Sequence, residues 1–254
     1  VLNSGVTMSN WIDATVKSVK WWNESLFSIT VHADVEPFKA GQFTKLSIMD
    51  GDKRIARAYS YVNAPQSPDL EFYLINVVDG LLSSHLATLK PGDTVLIERR
   101  ATGFFTLDEV PASEQLWMLS TGTAIGPFLS MLQQSEVWQK YQHINLVHGV
   151  RKNSDLSYQE LIGKLKRLYP SQLNYIPVVS REAPLQGLAG RITTVIENNA
   201  LYEHVGLCAT PNNAQFMLCG NPQMVKDTTE LLLAQNYKRN RRKEPGHITV
   251  EQYW

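Results

Sequence analysis

Leu116-Trp117-Met118-Leu119-Ser120-Thr121-Gly122-Thr123-Ala124-Ile125-Gly126-Pro127 is the stretch on which the reading of this chain turns. Leu116–Leu119 is a continuous apolar run, as expected of a strand buried on both faces. The residues that follow are small, and small residues at a strand-to-helix turn let a dinucleotide approach the backbone. Pro127 suits the first turn of the helix that would come next. The segment is not G-x-G-x-x-G, so the usual dinucleotide fingerprint is missing. A tight strand-to-helix turn would by itself account for the glycines.

Downstream of this segment, apolar runs at Ile144–His148, Tyr175–Val179 and Phe216–Cys219 read as further buried parallel strands. Helical stretches fall near Pro127–Gln134, Ser157–Leu168, Ile192–Asn198 and Pro222–Gln235. Strand–helix alternation of this kind builds a parallel sheet that binds ligands at the carboxyl ends of its strands.

Upstream, the texture is different. Ile12–Val19, Leu26–Val31, Gln42–Ile48, Ile55–Val62, Leu70–Val77 and Thr94–Ile97 are short and rich in β-branched and aromatic residues. Breakers such as Asn63-Ala64-Pro65 and Lys90-Pro91-Gly92-Asp93 separate them. Regularly spaced short strands predict an antiparallel barrel. The connector Leu107-Asp108-Glu109-Val110-Pro111 divides the chain into residues 9–106 and 107–254. Residues before Met8 carry no helix or strand pattern and are left out of this division.

Composition narrows the function classes. The 254 residues carry 24 Lys+Arg against 24 Asp+Glu, without the basic excess that phosphate-backbone binding usually needs, so nucleic acid is not the expected partner. No uninterrupted apolar run is long enough to span a membrane. The two cysteines, Cys208 and Cys219, cannot supply the four thiolates of an ordinary iron–sulfur cluster. Any resident electron carrier is then organic. Sparse cysteine and no recognisable signal peptide predict a reduced, cytoplasmic setting, and a monomer is expected.

Several residues stand out as candidates for binding. On the strand Arg57-Ala58-Tyr59-Ser60, alternation puts Arg57 and Tyr59 on one face and Ala58 and Ser60 on the other. A guanidinium can grip a pyrophosphate and an aromatic ring can stack on a flat cofactor, although an ordinary strand with one exposed face would look the same. Tyr73-Leu74-Ile75 and Gly80-Leu81-Leu82-Ser83 follow. Gly80 permits close backbone approach, and Ser83 is expected as N-cap of a short helix whose free N–H groups could meet phosphate.

Arg151, Ser180, Arg181 and Arg191 all fall at strand carboxyl ends or at the next helix start. Arginines there can clamp the 2′-phosphate that separates NADP from NAD. Glu182, beside Arg181, leaves a ribose-binding, NAD-type role open. Cys219-Gly220-Asn221-Pro222 closes the last strand of this alternating half and opens the last long helix, placing Cys219 at the sheet edge above which a nicotinamide could lie, with a buried structural thiol as the simpler reading. The terminal Tyr253 and Trp254 suggest a stacking lid or a docked end. The basic run Lys238-Arg239-Asn240-Arg241-Arg242-Lys243 is expected to be a solvated helix end, with docking of an acidic electron-transfer protein as the sharper alternative.

In this order, the segments closely resemble the bacterial ferredoxin (flavodoxin)–NADP reductases, from Trp11 to Trp254. Arg57-Ala58-Tyr59-Ser60, Gly80 with Leu82-Ser83, Thr121–Pro127, Cys219–Val225 and Tyr253-Trp254 carry the resemblance. It implies an N-terminal antiparallel FAD-binding β-barrel and a doubly wound parallel-sheet NADP-binding domain whose tail returns to the flavin. By resemblance, Arg57, Leu82 and Ser83 hold the FAD phosphates. Tyr59 and Ser60 border the isoalloxazine, and Tyr73, Ile75 and Thr123 complete its pocket. Ala58, Leu74, Gly80 and Leu81 come with the same segments.

Tyr253 is then the stacking aromatic, while Trp254 covers the adenine end. Arg151, Ser180, Arg181 and Arg191 match positions that recognise NADP. The residues placed at the reacting centre are Tyr59, Ser60, Cys219 and Tyr253, with no metal. His85 departs from the family pattern, where arginine is common. The implied reaction is hydride transfer from nicotinamide C4 to flavin N5, with Tyr253 moving aside, then single electrons to ferredoxin or flavodoxin. The rivals are an NAD(P)H-dependent flavin or oxygenase reductase and a non-catalytic redox-sensing module.

Overall fold

Alternating apolar residues make Trp11–Trp21 (β1), Leu26–His32 (β2), Phe43–Asp50 (β3), Lys53–Ser60 (β4), Leu70–Ile75 (β5) and Thr94–Glu98 (β6) strands of one sheet. The computed structural model, which describes residues 10–253, orders them β4-β3-β6-β1-β2-β5, every neighbour antiparallel. The edges meet where Tyr61 bridges Phe72 and the Val62 N–H donates to the Glu71 carbonyl at 2.9 Å. That contact turns the sheet into a barrel and removes its exposed edges. Phe27, Ile29, Leu46, Phe72 and Ile97 fill the interior, each such side chain contributing about 1.5–3 kcal/mol by leaving water. A short helix, Leu81–Thr88 (α1), lies between β5 and β6.

The second sheet contains Gln115–Thr121 (β7), His143–Val150 (β8), Leu173–Val179 (β9), Leu188–Ala189 (β10), Ala214–Gly220 (β11) and Ile248–Gln252 (β12). They run parallel in the order β10-β9-β8-β7-β11-β12. Its helices are Gly126–Leu132 (α2), Ser135–Lys140 (α3), Gln159–Leu168 (α4), Ile192–Glu197 (α5), Ala200–Val205 (α6) and Pro222–Ala234 (α7).

Period-two alternation sends Leu116, Met118, Met217 and Cys219 to one face with α2 and α4. Trp117, Leu119, Phe216 and Leu218 go to the other face with α5, α6 and α7. The sheet is doubly wound, and the chain direction across it reverses between β7 and β11. That is the switch point where such folds bind ligands. The first face also packs on the barrel, since Leu26, Val62 and Tyr73 share its apolar cluster. Among the described residues no helix is long and apolar enough to cross a membrane.

Several elements differ from the sequence expectation. The helix at Ser157–Leu168 begins two residues later, because Tyr158 takes a left-handed φ of 62° just before it. Tertiary contacts hold that conformation: the Tyr158 hydroxyl donates to Glu71 at 2.7 Å, and Ser157 pairs with the Tyr73 hydroxyl at 2.7 Å. The basic run is not a helix end, since α7 stops at Ala234. Instead it forms a turn leading into β12. Arg242 there pairs with Glu109 at 3.6 Å and lies 4.0 Å over the Phe104 ring.

Candidate active site

One cavity of about 740 Å³ lies between the barrel and the carboxyl edge of the parallel sheet. β4 supplies its wall through Arg57, Ala58, Tyr59 and Ser60. Residues from both faces of this strand line the cavity. Burial pushes the Tyr59 hydroxyl up to about 12, partly countered by the nearby Arg57 charge. A neutral phenol on that wall offers a flat apolar face and a hydrogen-bonding tip. The Arg57 guanidinium is exposed and donates only to its neighbour, the Ala56 carbonyl, at 2.8 Å among the contacts described.

Opposite stand Tyr73, Leu74 and Ile75 of β5 and the start of α1, with Gly80, Leu81, Leu82 and Ser83. The N-cap of α1 is Gly80, and Ser83 lies in the helix's first turn. This corrects the expectation that Ser83 caps the helix. Its hydroxyl instead accepts from the Val77 N–H at 3.2 Å, tying the preceding loop to the helix. A Cβ on residue 80 would sit 2.7 Å from that hydroxyl and 3.0 Å from Val77. Any larger residue there would force Ser83 or Val77 to shift, and with glycine the helix-start N–H groups stay accessible to an anion.

The parallel sheet contributes Thr123, from the turn after β7, and the end of β12 with Glu251, Gln252 and Tyr253. Main-chain pairing brings this tail in: β12 runs alongside β11 with Cys219 opposite Glu251, and the Tyr253 N–H donates to the Gly220 carbonyl at 3.0 Å. Tyr253 hydrogen bonds with Ser60, and burial pushes its hydroxyl well up. Cys219 is fully buried beside Tyr253 and Glu251, with its thiol raised well above the ordinary range by desolvation. Tyr253 lines the cavity, and the buried thiol beside it does not.

The turn after β7 is held from below by His148. Its Nε2 donates to the Gly122 carbonyl at 3.0 Å, and the Tyr175 hydroxyl stands 3.4 Å from Nδ1. A carbonyl can only accept, so the proton is on Nε2. Complete burial lowers this imidazole to about 4 and keeps it neutral. Beside that turn, the Thr121 hydroxyl accepts from the Asn221 N–H at 2.8 Å. Gly220 lies at φ +136°, and a Cβ there would be 2.2 Å from the same hydroxyl. Asn221 caps α7 by accepting from Gln223 and Met224.

Arg151, Ser180, Arg181 and Arg191 are all exposed around the carboxyl ends of β8 and β9 and the start of α5. The first three are joined through the backbone: the Ser180 N–H donates to Val150 and the Arg181 N–H to Arg151, at 3.0 and 2.9 Å. Arg191 is the N-cap of α5. None of the four lines the cavity, and Trp254 lies outside the described residues.

Phe43, Ile55, Val77, Asp79, Glu251 and Gln252, which no sequence motif marks, also line the cavity. Glu251 is the most distinctive. Desolvation raises its carboxyl to about 7, and its Oε2 is buried with no hydrogen-bond partner. An orphaned carboxyl oxygen at a cavity wall invites a polar partner from a bound group. A lone acidic residue near a chain end carries no sequence signal of this.

Comparison with known proteins bears on the same geometry. Residues 118–230 match the family model of the oxidoreductase NAD-binding domain. The chain is 50% identical over 248 residues to the flavodoxin/ferredoxin–NADP reductase of Escherichia coli K12, covering 97% of this chain and all of the relative. The chain belongs to the flavodoxin/ferredoxin–NADP reductase family. A Pseudomonas aeruginosa member, a ferredoxin–NADP reductase, is 36% identical over 96% of this chain and 98% of its own. The crystal structure of a Neisseria gonorrhoeae ferredoxin–NADP+ reductase with bound FAD and NADP superposes with a TM-score of 0.92 at 34% identity. It covers 97% of this chain and 100% of that one. The two-sheet architecture described above is thus that of the flavodoxin/ferredoxin–NADP reductases.

Proposed function

We infer that this protein transfers electrons between NADP(H) and a ferredoxin or flavodoxin through bound FAD. The observation that carries this reading is the convergence of β4, β5, the α1 start, the turn after β7 and the β12 tail on one cavity. Its volume of about 740 Å³ is within the usual range for a cofactor site. The residues fit an FAD: a guanidinium and a helix start for the phosphates, Tyr59 and Tyr253 for the ring, and the unpartnered Glu251 oxygen for a polar edge. When bound, the flavin accepts a hydride equivalent from NADPH and releases electrons singly.

The chain's own residues bind, orient and gate. Arg57, Leu82 and Ser83 hold the pyrophosphate with the N–H groups of α1. Tyr59, Ser60, Tyr73, Ile75 and Thr123 orient the ring and exclude water. Tyr253 covers the ring and withdraws to admit nicotinamide, leaving Ser60 and, behind it, Cys219 at the opened face. Arg151, Ser180, Arg181 and Arg191 take the 2′-phosphate of NADP.

On this reading residues 9–106 form the FAD-binding domain and 107–254 the NADP-binding domain. The five cations of the 238–243 run are exposed and adjoin the connector between these parts, a placement suited to an acidic electron carrier. A monomer in the cytoplasm completes the proposal. Both cysteines are free, Cys208 exposed and Cys219 buried, as a reducing compartment permits.

Anaerobic titration with NADPH, and separately with NADH, while following flavin absorbance tests this directly. Rapid bleaching by NADPH and slow bleaching by NADH is the expected result. Arg181→Ala should raise the NADPH requirement and leave NADH nearly unchanged. A colourless protein that does not take up FAD would overturn the reading.

A further inference from the structure

The sequence places an acid, Glu182, beside the arginines, where an acid could serve the ribose of NAD. In the structure this carboxylate is engaged by one neighbour. The Asn153 backbone N–H and side-chain Nδ2 donate to Glu182 Oε1 at 2.6 and 2.7 Å. The same Nδ2 donates to the Ala183 carbonyl at 2.9 Å, while Oδ1 accepts from the Leu185 N–H at 2.9 Å. One amide thus uses both of its ends to bind the segment that follows Arg181 to the turn that follows Arg151.

That turn is itself anchored. The Asp155 carboxylate accepts from the Lys152 N–H at 3.0 Å and from Asn23 of the barrel at 3.0 Å. Asn23 also donates to the Ser154 carbonyl at 3.0 Å. The two acids of these loops, Asp155 and Glu182, are therefore both occupied by N–H donors, whereas Arg151, Lys152 and Arg181 are exposed cations. The bonds from Asn153 hold the Glu182 carboxyl below the usual carboxylate range, so the group is charged at neutral pH and its orientation matters.

We propose that Asn153 is a specificity-determining positioning residue: by clasping Glu182 it turns a potential ribose-binding acid into a strut and leaves the arginines to select a 2′-phosphate. This rests on the reading that Arg151, Arg181 and Arg191 meet that phosphate. Asn153→Ala keeps the backbone N–H bond to Glu182 but removes the Nδ2 bond and the ties to Ala183 and Leu185, so the carboxylate, held at one contact, would swing toward Arg181. There it would compete for the guanidinium and repel the phosphate dianion.

The test uses FAD-loaded protein and calorimetric titration with 2′,5′-ADP and with 5′-ADP, which lacks the 2′-phosphate. The ratio of the two dissociation constants is the readout, since loss of general loop order would weaken both ligands. Asn153→Ala is expected to cut the preference for 2′,5′-ADP on the order of tenfold, a change of about 1.4 kcal/mol. Adding Glu182→Gln to that variant should restore most of it. Steady-state assays should show a raised KM for NADPH with kcat little changed.

An unchanged ratio in Asn153→Ala, or a loss that Glu182→Gln does not recover, would overturn the proposal. Arg181→Ala is the control for the underlying reading. If it too leaves the ratio unchanged, the 2′-phosphate assignment itself fails. If it lowers the ratio while Asn153→Ala does not, only the clasp is refuted.

Discussion

The Tyr253 N–H donates to the Gly220 carbonyl at 3.0 Å, so the terminal aromatic is delivered to the cavity by the same parallel pairing that builds β12 onto β11. Cys219, on the same strand as Gly220, is completely buried beside that tyrosine. The backbone pairing that aims the tyrosine into the cavity also sets it next to the thiol.

This arrangement predicts thiol reactivity. With an alkylating reagent, native protein should be labelled quickly at exposed Cys208 and slowly at Cys219. Tyr253→Ala should make Cys219 labelling at least several-fold faster, and peptide mass spectrometry would read the two sites separately. Equal Cys219 rates in both proteins would show that Tyr253 is not the cover.

Glu251 predicts a pH effect. Its carboxyl is raised to about 7 by burial, so the folded protein binds a proton more tightly than the unfolded chain does. That contribution is complete below the ordinary carboxylate range and is lost as pH rises through 7. In flavin-free protein, Glu251→Gln should remove a fall in stability between about pH 4.5 and 7 worth up to about 3 kcal/mol. Urea denaturation of both proteins across that range measures the difference.

His148 carries the opposite sign. Its folded value of about 4 lies below the ordinary 6.5, so its contribution is complete above 6.5 and is lost as pH falls through 4. His148→Gln keeps a donor for the Gly122 carbonyl and should lose that acid sensitivity with modest cost. His148→Leu leaves the carbonyl unpaired and should cost about 1–3 kcal/mol. Because Thr123 follows Gly122 into the cavity wall, flavin reduction by NADPH should slow in the leucine variant and largely recover in the glutamine variant.

Gly220→Ala should be poorly tolerated. The added Cβ meets the Thr121 hydroxyl at 2.2 Å on a backbone with φ +136°. A penalty of about 1–3 kcal/mol is expected from strain alone. Thermal unfolding would record it, and pairing with Thr121→Ser should not relieve it, since serine keeps the clashing oxygen.

Much of the fold was legible because its signals are local. The apolar run Leu116–Leu119 and the small residues after it mark a strand and turn, and Asn221-Pro222 marks a helix start. The breakers between the early strands mark a barrel. Likewise Arg57, Tyr59 and Gly80 stood out by residue type and spacing, and all three line the cavity. Ser83 was assigned to the right segment but the wrong capping position, as helix boundaries depend on which N–H groups the tertiary structure leaves free. β12 escaped notice because Ile248–Gln252 alternates too weakly to read alone; β11 supplies its partner groups.

By itself the sequence determined the two textures, their order and the residue types available for phosphate, ring and nucleotide. Those properties follow from neighbours a few positions apart, whose periodicity decides what a backbone segment can bury. Only the tertiary structure decided that Glu251 is desolvated, that Cys219 is buried beside Tyr253, that His148 holds Gly122, and that Glu182 is taken by Asn153. Each of these depends on groups far apart in the chain, or on the dielectric around them, and neither burial nor a hydrogen-bond partner is written in a residue's immediate neighbours.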